Sequence, residues 1–398
     1  MMILILISIL GIAGAQNLFC SEEFCTKYVA EVGCPGLPDG CHIQNKTHNG
    51  LKLPFPGPCD CCKYCLENIL EDESCSVGTQ TSIVPSTICG PGLYCKTNVY
   101  DEYKCLEMKS ECANKQADYD YRRRVGELGH MELRPNCDPD GLFKPYVCIP
   151  GEICYCVNEK NDRIFGEIPF TSLASYKMHC HCSRAHDTIS RYMGQSLLRH
   201  EHMRCKSDGS YDPIQCIGKQ CLCVDSDDGK PTFPKLSLVN MTRISQKTLP
   251  CFENDTHIEN YYYRVCEEVL MRKVDDIIEL KLMGHDIVGV VYPKCQLDGY
   301  YAPVQSDGKK QYCVTPEGIT MEDYVIDLVT DEKLAKTMNC NCARALSIIQ
   351  GNEKPECLKN GNYNKIQCRR GLCRCVDPNG NQIGKEVDLN KKDQLKCV

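Results

Sequence analysis

Apolar positions open the chain as one short block: Met1 to Ala13 is almost wholly apolar, with no Lys or Arg before it, and ends at Ala13-Gly14-Ala15 ahead of Gln16. A membrane-spanning helix needs roughly 20 apolar residues. This shorter run with a small-x-small exit predicts a secretory signal over residues 1–15. No later run approaches spanning length. The longest, Ile287 to Tyr292, has Val-Gly-Val-Val at its centre and predicts a buried strand. Val269, Leu270, Val274, Ile277, Ile278 and Leu282 fall near helical spacing and predict a helix over Glu267 to Lys281.

The rest of the pattern is a repeat. Four stretches share a cysteine, a [DN]-G turn, an aromatic two residues on, and a second cysteine position after a gap of ten. They run from Cys137 to Cys148, Cys205 to Cys216, Cys295 to Ser306 and Cys357 to Cys368. Gly141, Gly209, Gly299 and Gly361 occupy the turn, and Phe143, Tyr211, Tyr301 and Tyr363 follow it. A [DN]-G pair suits a tight turn with positive φ, and the aromatic beyond it can fold onto a small core. A C-x-C-V comes next at Cys154–Val157, Cys221–Val224 and Cys373–Val376, with Gln311-Tyr-Cys313-Val314 in the third repeat. Each repeat opens with a cysteine (Cys112, Cys182, Cys266, Cys342) and closes with another (Cys180, Cys251, Cys340, Cys397).

The third repeat lacks two cysteines, replaced by Ser306 and Gln311. Loss of the third and fourth together supports their bonding in the sister repeats, as Cys148–Cys154, Cys216–Cys221 and Cys368–Cys373. A bridge closing so short a loop contributes about 2 kcal/mol on the chain-entropy model, and the long helix of that repeat is expected to offset it. A second symmetry lies above the first, since TSLASYKMHCHCSRA and DEKLAKTMNCNCARA match around Cys180-His-Cys182 and Cys340-Asn-Cys342. The four repeats therefore form two doublets with tight internal junctions, and Phe252 to Val265 is the expected hinge between them.

Composition sets the compartment and narrows the chemistry. Among 398 residues there are 34 cysteines and no tryptophan, so disulfides rather than a large apolar core are expected to hold the fold. Sequons at Asn45, Asn240 and Asn254 fit a secreted glycoprotein. In an oxidising destination the run Cys59-Asp-Cys61-Cys62-Lys-Tyr-Cys65 and the His179/His181 pair read as disulfide framework and junction rather than as zinc sites. The net charge of −7 argues against nucleic acid and anionic membranes as partners. G-x-S-x-G, H-E-x-x-H and a phosphate-binding glycine loop are all missing, and with an even cysteine count no thiolate nucleophile is expected. His200-Glu-His202 lacks the i,i+4 spacing of a helical zinc pair, and Asp225–Gly229 reads as a solvated turn rather than a calcium loop. The expectation is no enzyme, no cofactor and no metal.

The cysteine spacing, DG turn, QC and C-x-C-V together resemble the thyroglobulin type-1 repeat, although Tyr155, Leu222, Tyr312 and Arg374 stand where that family usually has tryptophan, and Val147 where it has glutamine. The resemblance implies small modules, each a short helix plus a small β-sheet, at residues 109–181, 182–251, 263–341 (one disulfide fewer) and 342–398. It further implies the pairs Cys112–Cys137, Cys156–Cys180, Cys182–Cys205, Cys223–Cys251, Cys266–Cys295, Cys313–Cys340, Cys342–Cys357 and Cys375–Cys397. The 12 cysteines of residues 20–105, with PCDCCKYC and Cys89-GPGLY-Cys95, resemble the N-terminal domain of insulin-like growth factor-binding proteins. That implies a disulfide-ladder domain over residues 16–106, with insulin-like peptides, growth factors or matrix components as its ligand classes.

Tandem repeats with little linker resemble the thyropins, secreted inhibitors of papain-like cysteine proteases. By that resemblance the inhibitory wedge combines the segment before the second cysteine with the loop between the third and fourth. The residues so marked are Arg134, Pro135, Asn136, Pro150, Gly151 and Glu152 in the first repeat. In the second they are Met203, Arg204, Gly218 and Lys219, and in the fourth Pro355, Arg369, Arg370 and Gly371. Disulfide-closed loops lose little entropy on docking, so the third repeat, without its bridge, is expected not to inhibit. The reading is a secreted, extracellular monomer that acts on other proteins.

Overall fold

The computed structural model describes residues 22–34, 36, 48–54, 63–76, 87–90, 93–107, 109–138, 141–171, 178–194, 202–232, 238–349 and 354–397. The chain divides into two compact units, Met1–Glu107 and Met108–Val398. Residues 1–15, Asn45 and most of the run from Pro58 to Cys65 lie outside the described residues. Within the described residues, no helix is long and apolar enough to cross a membrane.

In the first unit a helix, Glu22–Glu31, precedes a sheet of His48–Pro54, Lys63–Ile69 and Thr87–Cys89. The first two strands pair antiparallel and the last two parallel. A hairpin of Leu93–Thr97 and Tyr103–Glu107 follows. Asn98 closes its turn, its side-chain oxygen accepting the N–H groups of Tyr100 and Glu102, the local bonding that makes Asn a turn residue. Cys75–Cys95 and Cys89–Cys105 staple the hairpin to the preceding chain.

The second unit contains four copies of one plan, a helix followed by a three-stranded antiparallel sheet. The opening helices are Glu111–Arg124, His181–Met193, Val265–Leu282 and Asn341–Ile348. In every sheet the C-x-C-V strand lies in the middle. Gly141, Gly209, Gly299 and Gly361 sit at φ between 70° and 82°, a region open to glycine at little cost. Each turn folds the aromatic back to bridge its cysteine, as in Cys137–Phe143 and Cys357–Tyr363. Phe143 and Tyr363 are buried.

The disulfides supply much of the core. The second unit contains Cys112–Cys137, Cys148–Cys154, Cys156–Cys180, Cys182–Cys205, Cys216–Cys221 and Cys223–Cys251. It also contains Cys266–Cys295, Cys313–Cys340, Cys342–Cys357, Cys368–Cys373 and Cys375–Cys397. No described cysteine is free.

The doublet junctions are identical in backbone. Cys180 and Cys340 both adopt the left-handed region, at φ 56° and 58°, and each caps the next helix. Two residues into each helix past the second cysteine stands an arginine that pins the repeats together. Arg184 donates to the carbonyls of Val157, Phe143 and Asn158. Arg344 does the same to Val314 and Tyr301 and to the Gln296 side chain.

Two sequence expectations fail. Ile287 to Tyr292 is an irregular, largely exposed segment with Val288 at 92% exposure, not a buried strand. The sheet of that repeat is already filled by Val304–Ser306, Lys310–Val314 and Thr320–Asp327, and Gly289, at φ 80°, breaks the extended run. The expected hinge is instead a clasp. Phe252 and Tyr262 join the core of the second repeat, and His257 is hydrogen-bonded to the buried Asp212 at 2.9 Å.

Candidate functional site

The loops between the third and fourth cysteines are β-hairpins held by a disulfide across adjacent strands. The paired Cα atoms are 3.9, 3.9 and 4.0 Å apart in the first, second and fourth repeats. In the second repeat Ile217 pairs with Gln220 around Gly218-Lys219, with Gly218 at φ 61°. In the fourth, Arg369 pairs with Leu372 around Arg370 and Gly371, both at positive φ. These are the two-residue turns whose twist matches the flanking strands. The third repeat keeps the hairpin without sulfur. Ser306 Oγ donates to the Lys310 carbonyl and accepts from Gly308, while Asp307 Oδ1 accepts from Lys309 and Lys310.

The segment before the second cysteine is tied to the hairpin by a glutamine. Gln215 accepts from the Arg204 N–H and donates to the Arg204 carbonyl. Gln305 does so to Lys294, and Gln367 to Glu356. Here lies the structural role of the glutamine in the repeated QC dipeptide: its amide side chain acts as one more strand residue and fixes the two segments relative to each other. In the first repeat Val147 cannot do this, and Gln116 holds the Pro135 carbonyl instead.

The loops differ most in their surroundings. In the first repeat Ile149, Glu152 and Ile153 are buried. Ile149 and Ile153 share an apolar cluster with Tyr155, Val157 and, from the fourth repeat, Ile349, Tyr363 and Val376. Gly151 faces the Arg369 guanidinium, and Arg374 lies 4.0 Å from Glu152. Burial pushes the Glu152 carboxyl up, against the pull of Arg374 and Arg369. Arg134 is clamped by Asp120 at 2.9 and 2.8 Å, and Arg134 to Asn136 face Asp377, Asn381 and Gln382 across a pocket.

Further contacts close this seam. His130 bonds to Glu386, the Tyr155 hydroxyl accepts from Asn381 at 2.7 Å, and Glu132 accepts from the Gly384 N–H. Burial pushes the Glu386 carboxyl up, but the hydrogen bonds from His130 and Gln382 outweigh it and hold it down at about 2.

In the second repeat the loop stands clear. Ile217 is 77% exposed, Gly218 and Lys219 are exposed, and among the described residues nothing lies within 4 Å of a Cβ placed at Gly218. Asn240 pairs opposite Gln220 at the base of this loop, and its side-chain oxygen accepts from the Thr242 N–H. Met203 is half-buried. Arg204, marked by the sequence as a wedge residue, is buried and salt-bridged to Glu267, with its guanidinium 3.6 Å from the Tyr262 ring centre. It joins the second repeat to the third and is closed to any cleft. A lone arginine beside a cysteine gives no sign of such a partner, because Glu267 is 63 residues away. In the fourth repeat Arg370 and Gly371 are exposed and Pro355 is buried. Asn254 is exposed. Cys75, Cys89 and Cys95 cluster closely enough to suggest a metal site, but all three are bonded in disulfides, so they offer no thiolate.

Comparison with known proteins agrees with this geometry. Human thyroglobulin is 23% identical over 178 residues, 44% of this chain, and the match spans only 6% of its own length. U20-hexatoxin-Hi1a of Hadronyche infensa is 27% identical over 103 residues, 25% of this chain and 66% of the toxin. Equistatin of Actinia equina is 25% identical over 186 residues, 45% of this chain and 68% of that protein. The thyroglobulin type-1 repeat model matches residues 105–169, 179–237, 267–325 and 335–397. With more than half its length matched in four tandem copies, the chain belongs to the thyroglobulin type-1 repeat family.

Proposed function

We propose that the chain is a secreted, non-catalytic inhibitor of papain-like cysteine proteases that acts through its disulfide-locked hairpins, with modules bounded near residues 109–181, 182–251, 263–341 and 342–398. The carrying observation is the short hairpin whose ends are fixed by a cystine and whose base is fixed by a glutamine to a second segment. Such an element enters a cleft with little conformational entropy to lose. The thirteen disulfides among the described residues fit an oxidising, extracellular setting. Titration of the oxidised full-length protein against papain and a cathepsin L-type protease tests the reading. Stoichiometric, reversible loss of protease activity is expected. No loss at micromolar inhibitor would overturn it.

A second role belongs to the first unit. Its hairpin exposes Val99 at 93% and Tyr100 at 79% in the turn and Tyr103 at 50% at the start of the return strand, apolar side chains beside the exposed Asp101 and Glu102 that suit a small peptide ligand. Insulin-like peptides are the class implied by its resemblance to growth factor-binding domains. Calorimetry with insulin-like peptides tests this, and an absence of heat with wild type, or equal heat after Tyr100→Asp, would refute it.

A further inference from the structure

We infer that the four repeats offer a protease a single docking element, the Ile217–Gln220 hairpin of the second repeat, because the first and fourth repeats cover each other. This rests on the inhibitor reading above and names its acting site.

The four equivalent loops divide on observation. The third has no disulfide. The first has its hairpin residues Ile149, Glu152 and Ile153 buried, and its second wedge segment faces the fourth repeat across a pocket. Only Gly151 at its tip is exposed, and a protease could engage the flanking Ile149, Glu152 and Ile153 only after separation of an apolar cluster. The fourth has an exposed tip, but Arg369 packs on Gly151, and Pro150, Met131 and His130 of the first repeat wall a pocket beside Arg370 and Leu372. The rims of a cleft straddling this tip would meet those residues.

Among the described residues, the hairpin of the second repeat joins a disulfide to the more open approach, with Ile217 at 77% exposure against 40% for Leu372 in the fourth. Its tip presents one branched aliphatic side chain, Ile217, next to Gly218, which, like Gly371 in the fourth repeat, has no described atom close to it. A narrow substrate cleft with an apolar subsite is the surface that such a tip fits. The base of the loop is firm, since the Tyr262 hydroxyl accepts from the Cys216 N–H and Lys219 accepts from the Met241 N–H.

The test uses the full chain, since truncation after Cys180 would strip the cover from the first loop. Active-site-titrated papain is mixed with wild type, Ile217→Asp and Leu372→Asp, before and after enzymatic removal of N-glycans because Asn240 stands at the loop base. One protease bound per chain is expected, with a loss of roughly 30-fold or more in affinity for Ile217→Asp. Little change is expected for Leu372→Asp. Both positions are solvent-exposed, and unchanged melting temperatures confirm folding. Two or three proteases per chain, or full inhibition by Ile217→Asp, would overturn the single-site inference and leave the inhibitor reading standing. Failure of wild type to inhibit would overturn both.

Discussion

Single carboxylates show how burial gives this molecule a pH profile. Asp298 lines a cavity of about 780 Å³ where the repeats meet. Burial raises its carboxyl from 3.8 to about 6, against the Tyr300 N–H and the charge of Arg344. The folded protein therefore binds this proton more tightly than the unfolded chain, and ionisation costs stability. That cost is absent below pH 3.8 and complete above about 6. Asn360 holds the same turn in the fourth repeat and accepts from Asn362, so Asp298→Asn preserves the turn. It is expected to raise stability at pH 7.5 by up to about 3 kcal/mol and to change nothing at pH 3.5, read from melting temperatures. An equal shift at both pH values would show that the charge is not the cause. Glu386 has the opposite sign. Its carboxyl, held at about 2 instead of 4.5, supports folding above pH 4.5, and that support is lost toward 2. Glu386→Gln is therefore expected to lower the melting temperature at pH 7, with the deficit closing as pH approaches 2. A deficit that stayed constant over that range would rule out the charge as the source.

At the scale of one hairpin, the third repeat invites repair. Ser306 and Gln311 are direct cross-strand partners, in the register that bonds Cys368 to Cys373 and Cys216 to Cys221. The double change Ser306→Cys with Gln311→Cys is expected to form a bridge on secretion, seen as a mass loss of two hydrogens and no titratable thiol. The chain-entropy gain of about 2 kcal/mol is reduced by the Ser306 hydrogen bonds that are lost, so a net near 1 kcal/mol is expected. Two free thiols in the folded product would mean that this hairpin has drifted from its sisters. The absent bridge was legible because both halves vanished together. Its replacement by Ser306 and Asp307 hydrogen bonds was not, since Ser and Asp in a turn carry no pairing label. The helix of the third repeat was legible from spacing alone. The neighbouring apolar run was misread as a strand because hydrophobicity does not say whether a sheet has a free edge to pair with.

Over the whole second unit, the organising feature is the seam between the first and fourth repeats, and it was invisible in the sequence. Repeat boundaries, turns and junctions recur along the chain and announce themselves, whereas the seam joins residues such as His130 and Glu386, 256 apart, that recur nowhere. Gly129 marks its tightest point. It is buried without positive φ, and a methyl group there would collide with the Gln382 amide and the Gly384 carbonyl. Gly129→Ala therefore leaves the local backbone unstrained and acts only as a wedge in the seam. Overpacking of this kind costs about 1–3 kcal/mol, while each repeat keeps its own disulfides. The expected result is faster hydrogen exchange at Tyr155 and Val157, increased binding of a hydrophobic dye by the uncovered Ile149 and Ile153, and intact modules. If the seam is what silences the first hairpin, the same variant binds a second protease molecule where wild type binds one. Faster exchange at the seam with an unchanged stoichiometry would show that the first hairpin is inert for its own reasons, in which case the buried Glu152 and the missing glutamine at Val147 become the place to look.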